Sequence, residues 1–266
     1  MSVFGRLLGR QYDRVVGRGR LDTVLRLRRK PRWAEAWQTY PGAVADAPAL
    51  WSVDLGAVQA APIAHLPERM DVEVGYPANK DGLPADWAQL ARVEDSVRAS
   101  VADLGGVYVG RVAASGLCRF TAHIPARPAT PVHLADARVS TEYDPHWAYV
   151  RDTLAPDERQ QQLLEDLAVV GVLAEHGDPL ATPRDVAHVA FFAEQAPAEH
   201  AAADLRADGF AASVERDDEG DFALTALRAD PVAPPTVHEL TWGVKQTVER
   251  HGGTYDGWNC GIASAA

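Results

Sequence analysis

The sequence predicts an α+β protein built from two domains. Length is the first observation: 266 residues, at roughly 100–200 residues per domain, make about two. Patterning is the second: segments that alternate apolar and polar residues, as half-buried strands do, are interspersed with segments whose apolar residues recur every three or four positions, as on a helix. Charge is the third. Residues 1–32 hold nine Arg, one Lys and two Asp, a net of +8, whereas residues 157–266 hold 20 acidic and 7 basic residues, a net of −13. These changes divide the chain into a basic leader (1–32), a first domain (33–156) and a second domain (157–266).

In the leader, Val3, Phe4, Leu7 and Leu8 fall at helical spacing, but Gly5, Gly9, Gly17 and Gly19 each weaken a helix by about 1 kcal/mol. It reads either as a disordered or weakly helical leader, or as a basic amphipathic segment able to touch RNA, anionic lipid or the acidic body of the protein.

The first domain opens near Trp33 with the short aromatic stretch WAEAWQTY. Residues 50–56 (LWSVDLG) are a strand candidate, and Pro62 and Pro67 punctuate the connection that follows. Residues 70–77 (MDVEVGYP) alternate as a half-buried strand does. Asp81-Gly82 marks a turn, and Asp86 caps a helix over 86–104 that carries Leu90, Val93, Val97, Val101 and Leu104 and ends at Gly105-Gly106. Residues 107–115 and 118–125 form a hairpin joined near Ser115-Gly116-Leu117. An aromatic segment, 141–157, leads into the next domain.

In the second domain the order is a helix (158–177), a strand (184–193), an alanine-rich helix that starts at Pro197 and stops at Gly209, a strand (210–216), an acidic turn (217–221), a strand (222–229) and a helix (237–253). TYDGW at 254–258 is a short last segment and a candidate closing strand. This β-α-β-β-α order within the domain is the ferredoxin-like split βαβ arrangement.

Composition excludes several functions. Hydrophobic residues at 47% and charged residues at 24% are ordinary for a globular chain, and no apolar run approaches the roughly 20 residues needed to span a bilayer. No secretory signal is recognisable. Cys118 and Cys260 alone cannot make a disulfide framework or a thiolate zinc cage, so a reducing cytoplasm is the expected compartment. An acidic body repels phosphate backbones, which argues against direct nucleic-acid binding by the folded part and favours a basic protein partner. HExxH, GxSxG, CxxC and Walker motifs do not occur, and no two of the nine histidines lie at i,i+4 spacing. No catalytic residue, metal site or cofactor is expected.

Two segments stand out as partner-binding candidates. Glu215, Asp217, Asp218, Glu219 and Asp221 crowd one hairpin tip, either as a solvated turn or as an electrostatic contact for a basic segment. A calcium loop is rejected: with Asp217 at position one, Phe222 stands at position six and Arg228 at twelve, where Gly and Glu are required. Tyr255, Asp256 and Trp258 are the second group. Asp256-Gly257 predicts a turn with Tyr255 and Trp258 on opposite sides, serving as a buried anchor or as an aromatic platform for a partner. In the first domain, a deep pocket lined by Tyr76, Trp87, Arg111 or His123 would instead point to an enzyme or a small-ligand binder.

PRDVAHVAFF at 183–192, Gly209-Phe210, the acidic hairpin and GGTYDGW at 252–258 resemble the RraB family, regulators of ribonuclease E activity. Residues 33–153 are similar to the uncharacterised domain DUF695, on Trp51, Asp81-Gly82, Glu94-Asp95 and YDPHW at 143–147. The resemblance implies a ferredoxin-like second domain in a non-enzymatic, cytoplasmic regulator that inhibits an RNase E-type endoribonuclease. This chain departs from the best-known members in its fused first domain, its basic leader and its TYDGWNCG ending.

Overall fold

A computed structural model describes residues 33–130, 132, 134, 136–217 and 220–263. The leader, on which two readings were open, lies outside the described residues. The chain divides into two compact units, residues 33–160 and residues 161–263. Helix and sheet occur in both, so the α+β class holds.

The first unit is built on a six-stranded antiparallel sheet. In chain order it holds β1 (Trp37–Val44), β2 (Ala47–Asp54), α1 (Leu55–Ala60), β3 (Glu68–Gly75), α2 (Trp87–Asp103), β4 (Val107–Ala114), β5 (Leu117–Ile124) and β6 (Ala137–Tyr143), followed by a π-helical turn (Val150–Leu154). The spatial order is β1-β2-β4-β5-β3-β6. Two hairpins close through two-residue loops with positive φ at both positions: Ala45 (47°) and Asp46 (65°), then Ser115 (49°) and Gly116 (79°). Loops of that handedness match the twist of the strands they join.

Helix α2 starts where expected. The Asp86 carboxylate accepts from the Ala88 and Gln89 amides at 2.8 and 3.3 Å. Its buried residues Leu90, Val97 and Val101 pack on one face of the sheet, against Met70 and Val72 of β3 and Phe120 and Ala122 of β5. Each large side chain so buried stabilises the unit by about 1.5–3 kcal/mol.

Three readings of this unit change. The aromatic stretch before Tyr40 enters β1, an edge strand; its position at the edge is why Pro41 is tolerated. The predicted strand at 50–56 ends at Asp54, which caps α1 by accepting from the Gly56 amide at 3.0 Å. Residues 141–157 do not simply lead out of the domain. Residues 141–143 complete β6, and Trp147, Val150 and Leu154 are fully buried in this unit. The Tyr40 hydroxyl donates to the Leu154 carbonyl, which ties that return to β1.

The second unit contains most of α3 (Glu158–Glu175), then β7 (Arg184–Phe192), α4 (Gln195–Ala207), β8 (Ala211–Arg216), β9 (Phe222–Asp230), α5 (Thr236–Arg250) and β10 (Thr254–Cys260). The sheet order β10-β7-β9-β8, antiparallel throughout, is the ferredoxin-like split βαβ order. TYDGW is therefore the start of a real closing strand. Helix α4 begins at Gln195, two residues before Pro197, so the proline stands inside the first turn, where its missing N–H costs nothing.

Along β7, Val186, His188, Ala190 and Phe192 are buried and the residues between them are not. Ala198, Ala201, Ala202 and Leu205 of α4 and Val244 and Val248 of α5 pack with Ala190, Phe192, Leu224 and Ala226. Val170 and Leu173 of α3 pack with Val186 and Trp258. All three helices thus cover the same face of this sheet.

Candidate functional site

The acidic hairpin and the last strand, both singled out by sequence, sit at different depths in the second unit. Glu215 is exposed near the end of β8, opposite Ala223. The half-buried Asp217 shapes the tip: its Oδ1 accepts from the Gly220 amide at 2.8 Å and the Asp221 amide at 2.9 Å, and its own amide donates to the Asp221 carbonyl. Asp221 is exposed. Asp218 and Glu219 lie outside the described residues. Part of this acidic tract is therefore turn chemistry, with Asp217 holding the backbone, while Glu215 and Asp221 face solvent.

The last strand corrects the expectation at Asp256-Gly257. These residues form a β-bulge, not a turn: Tyr255 pairs with Ala190, Gly257 with Val189 and Trp258 with His188, and Asp256 is the extra residue. Gly257 sits at φ 117°, a backbone open to glycine and strained for other residues. Three residues apart on a regular strand, Tyr255 and Trp258 would point to opposite faces. The bulge puts both on the helix-covered face, beside buried Ala190 and His188. Asp256 remains exposed.

Trp258 is consequently buried and Tyr255 half-buried, both packed into the core of this unit. The Tyr255 hydroxyl and His188 Nδ1 are 2.8 Å apart, and burial raises the Tyr255 hydroxyl far above its ordinary pKa. Burial also holds the His188 imidazole down at about 4, so it is neutral near pH 7. Trp258 donates its indole N–H to Asp166 Oδ1 at 3.0 Å.

Asp166, on α3, is a residue that sequence reasoning missed. It is 1% exposed. Besides Trp258, it accepts from Gln162 Nε2 at 3.0 Å and from the Thr241 hydroxyl at 2.7 Å, and His238 Nδ1 lies 2.9 Å from Oδ2. One carboxylate thus joins α3, α5 and β10. A signal for it existed. Gln162, Asp166, Val170 and Leu173 share the buried face of α3, so Asp166 falls on the apolar stripe.

Of the residues proposed to line a pocket in the first unit, Tyr76, Trp87 and Arg111 lie on the α2 side of the sheet and His123 does not join them. Tyr76 and Trp87 pack around the core under α2, and the Arg111 guanidinium lies 5.3 Å from the Trp87 ring centre. His123 points to the opposite face of the sheet, stacked on Trp147 with ring centres 3.9 Å apart. Its Nδ1 and the Trp147 indole N–H both donate to the Leu66 carbonyl, and burial lowers its pKa to about 4.

On the α2 side, buried Arg111 donates to Glu94 Oε2 at 2.8 Å, and Arg98 donates to Glu94 Oε1 at 2.9 Å. Burial pushes the Glu94 carboxyl up, but Arg111 and Arg98 more than reverse this and leave it below its ordinary value. The Arg98 guanidinium also stacks on the rings of Trp37 and Tyr108 at 4.2 and 4.3 Å. Neither cysteine is an activated nucleophile: burial pushes the Cys118 thiol up to about 12 and raises that of Cys260. Among the described residues, no three His, Cys, Asp or Glu side chains are grouped to hold a metal, and no helix is long and apolar enough to cross a membrane.

Residues 164–260 match the family model described as regulator of ribonuclease activity B, RraB. Residues 35–155 match DUF695, described as a family of unknown function. These are the two resemblances, in the order, that the sequence motifs indicated. No curated protein matches the chain.

Proposed function

We propose that this protein is a non-enzymatic, cytoplasmic regulator that binds and inhibits an RNase E-type endoribonuclease through the acidic surface of its second unit. The match of residues 164–260 to a family of ribonuclease regulators carries this reading. The net charge of −13 over residues 157–266 supports the mechanism: a surface of this sign competes with RNA for a basic stretch of the enzyme. Within that surface, exposed Glu215, Asp221 and Asp256 meet the partner, with Asp217 holding the turn. Tyr255 and Trp258 support the surface from within rather than forming a platform.

Exposed charges steer encounter and are screened by salt. The dissociation constant of the purified endoribonuclease for the full chain should therefore rise at least tenfold between about 0.05 and 0.5 M salt, where the screening length shrinks severalfold. An affinity that does not move with salt would overturn the electrostatic mechanism.

One observation favours a second reading, a small-ligand site in the first unit with the second unit as adaptor. Arg111 Nη1 and the Tyr108 hydroxyl are buried beside Glu94 without a hydrogen-bond partner among the described residues. A guanidinium N–H and a hydroxyl together suit a carboxylate or phosphate oxygen. Protection of the first unit against thermal unfolding by millimolar phosphate or citrate, lost in Arg111→Met, would establish it.

A further inference from the structure

Among the described residues of the second unit, one face of the sheet carries no helix, and the composition of that face is distinctive. Directly opposed residues in antiparallel strands share a face, so the register defines it. Ala187 of β7 faces Leu227 of β9, which faces Ala211 of β8. Val189 opposes Thr225, and Phe191 opposes Ala223, which opposes Glu215. Leu227 is 37% exposed, and Val189 and Phe191 are half-buried.

The charges on this face have one sign. Glu215 stands beside the Phe191 end and Asp185, exposed and opposite Ala229, stands at the other. The basic residues of the three strands are accounted for elsewhere. Arg228 covers Phe210 on the helix side at 4.1 Å and pairs with Asp230. Arg184 pairs with Asp178, and Arg216 donates to the Gly220 carbonyl in the hairpin. Apolar area between two acidic ends, free of basic side chains, is complementary to a segment whose apolar residues are flanked by Arg or Lys. The small side chains of Ala187, Ala211 and Ala223 leave room for such a backbone to lie close.

We propose that this helix-free face, with Val189, Phe191 and Leu227 between Asp185 and Glu215, docks a basic amphipathic segment of the regulated protein. The inference rests on the regulator reading and deepens it. It extends recognition from the exposed acids to a sheet surface, where the apolar strip supplies affinity and the acidic ends supply orientation and encounter rate.

The test uses the full chain and the purified RNase E-type endoribonuclease at fixed salt. Leu227→Arg and Glu215→Arg should each raise the dissociation constant tenfold or more. Glu175→Arg, the same charge change at an exposed position of α3, should alter it less than twofold. All three variants should unfold at the wild-type midpoint. Equal losses for Glu215→Arg and Glu175→Arg, or no loss for Leu227→Arg, would overturn the docking face and leave the regulator reading standing.

If the wild-type chain does not bind the nuclease, the regulator reading fails by itself. The surface is then judged by titrating a synthetic amphipathic Arg/Leu peptide into the labelled full chain. Amide shifts confined to Val189, Phe191 and Leu227 retain the face; shifts elsewhere overturn it. Crosslinks from residues 1–32 of the same molecule onto this face would also overturn it, because the occupant would then be the chain's own basic segment.

Discussion

In the unit of residues 33–160, the buried Arg111 guanidinium is answered by a counter-charge, Glu94, which reaches it from α2 and is shared with Arg98. In the unit of residues 161–263, the buried Asp166 carboxylate is answered by donors from four side chains, none of them Arg or Lys. The difference is one of interchangeability. An ion pair is two groups that cost desolvation together, so both can be replaced together by apolar side chains of similar volume. A carboxylate that gathers an indole and an amide from separate elements leaves those donors orphaned when it goes.

The largest expected effect is therefore at Asp166. Asp166→Leu strands the Trp258 indole N–H and the Gln162 amide, at about 1–3 kcal/mol each, while the Thr241 hydroxyl keeps the His238 carbonyl as an acceptor at 3.0 Å. The total, about 2–6 kcal/mol, reaches the lower end of the whole stability of many domains. Hydrogen exchange at 25 °C should show the second unit open while the first keeps its protection. Asp166→Asn retains one acceptor oxygen and should fall between. If Asp166→Leu unfolds in urea at the wild-type midpoint, the carboxylate does not hold this unit together.

Asp166 also marks the limit of what the sequence made legible. The helix expected over 158–177, which ends at Glu175, was plain from its periodicity, as were β3, α2, the β4–β5 hairpin and the order of elements after residue 184. A lone acid among Glu165, Asp166 and the glutamines before them looks like solvated surface until the stripe is traced through Val170 and Leu173. β1 was obscured because Pro41 and Gly42 interrupt its pattern, which only an edge position permits. The Asp256-Gly257 pair signals a break in regular backbone. That signal is the same for a turn and for a bulge, and only the pairing with Val189 and Ala190 decides between them. For the candidate site, sequence located the acidic hairpin. It left Tyr255 and Trp258 open between a buried anchor and a platform, and placed them on opposite sides, because their shared inward face depends on the bulge.

The ion pair of the first unit should show the opposite logic, at a smaller cost. Glu94→Leu leaves Arg111 buried with only its aromatic neighbours, for a loss of about 3 kcal/mol in urea unfolding of that unit. The double replacement Glu94→Leu with Arg111→Met removes both charges and should recover most of that loss. A double variant no more stable than Glu94→Leu alone would dissolve the contrast between the two units.

Acid should erase the contrast, because each unit also holds one neutral buried histidine. His123 and His188 are both held at about 4 by burial, against an ordinary value near 6.5. In the unfolded chain each takes up a proton near pH 6.5; in the folded chain neither does until about pH 4. The unfolded state thus binds more protons across this window, and stability falls as pH drops from about 6.5 to about 4. By pH 5 the loss is about 2 kcal/mol for each histidine. The lowered Glu94 carboxyl contributes only at more acid pH, so the two effects separate. Urea unfolding at pH 7 and pH 5 should show similar losses in both units. His123→Gln should flatten the dependence in the first unit and His188→Gln in the second. If one histidine variant flattens both transitions, the units do not unfold independently, and their different treatments of buried charge act on one shared stability.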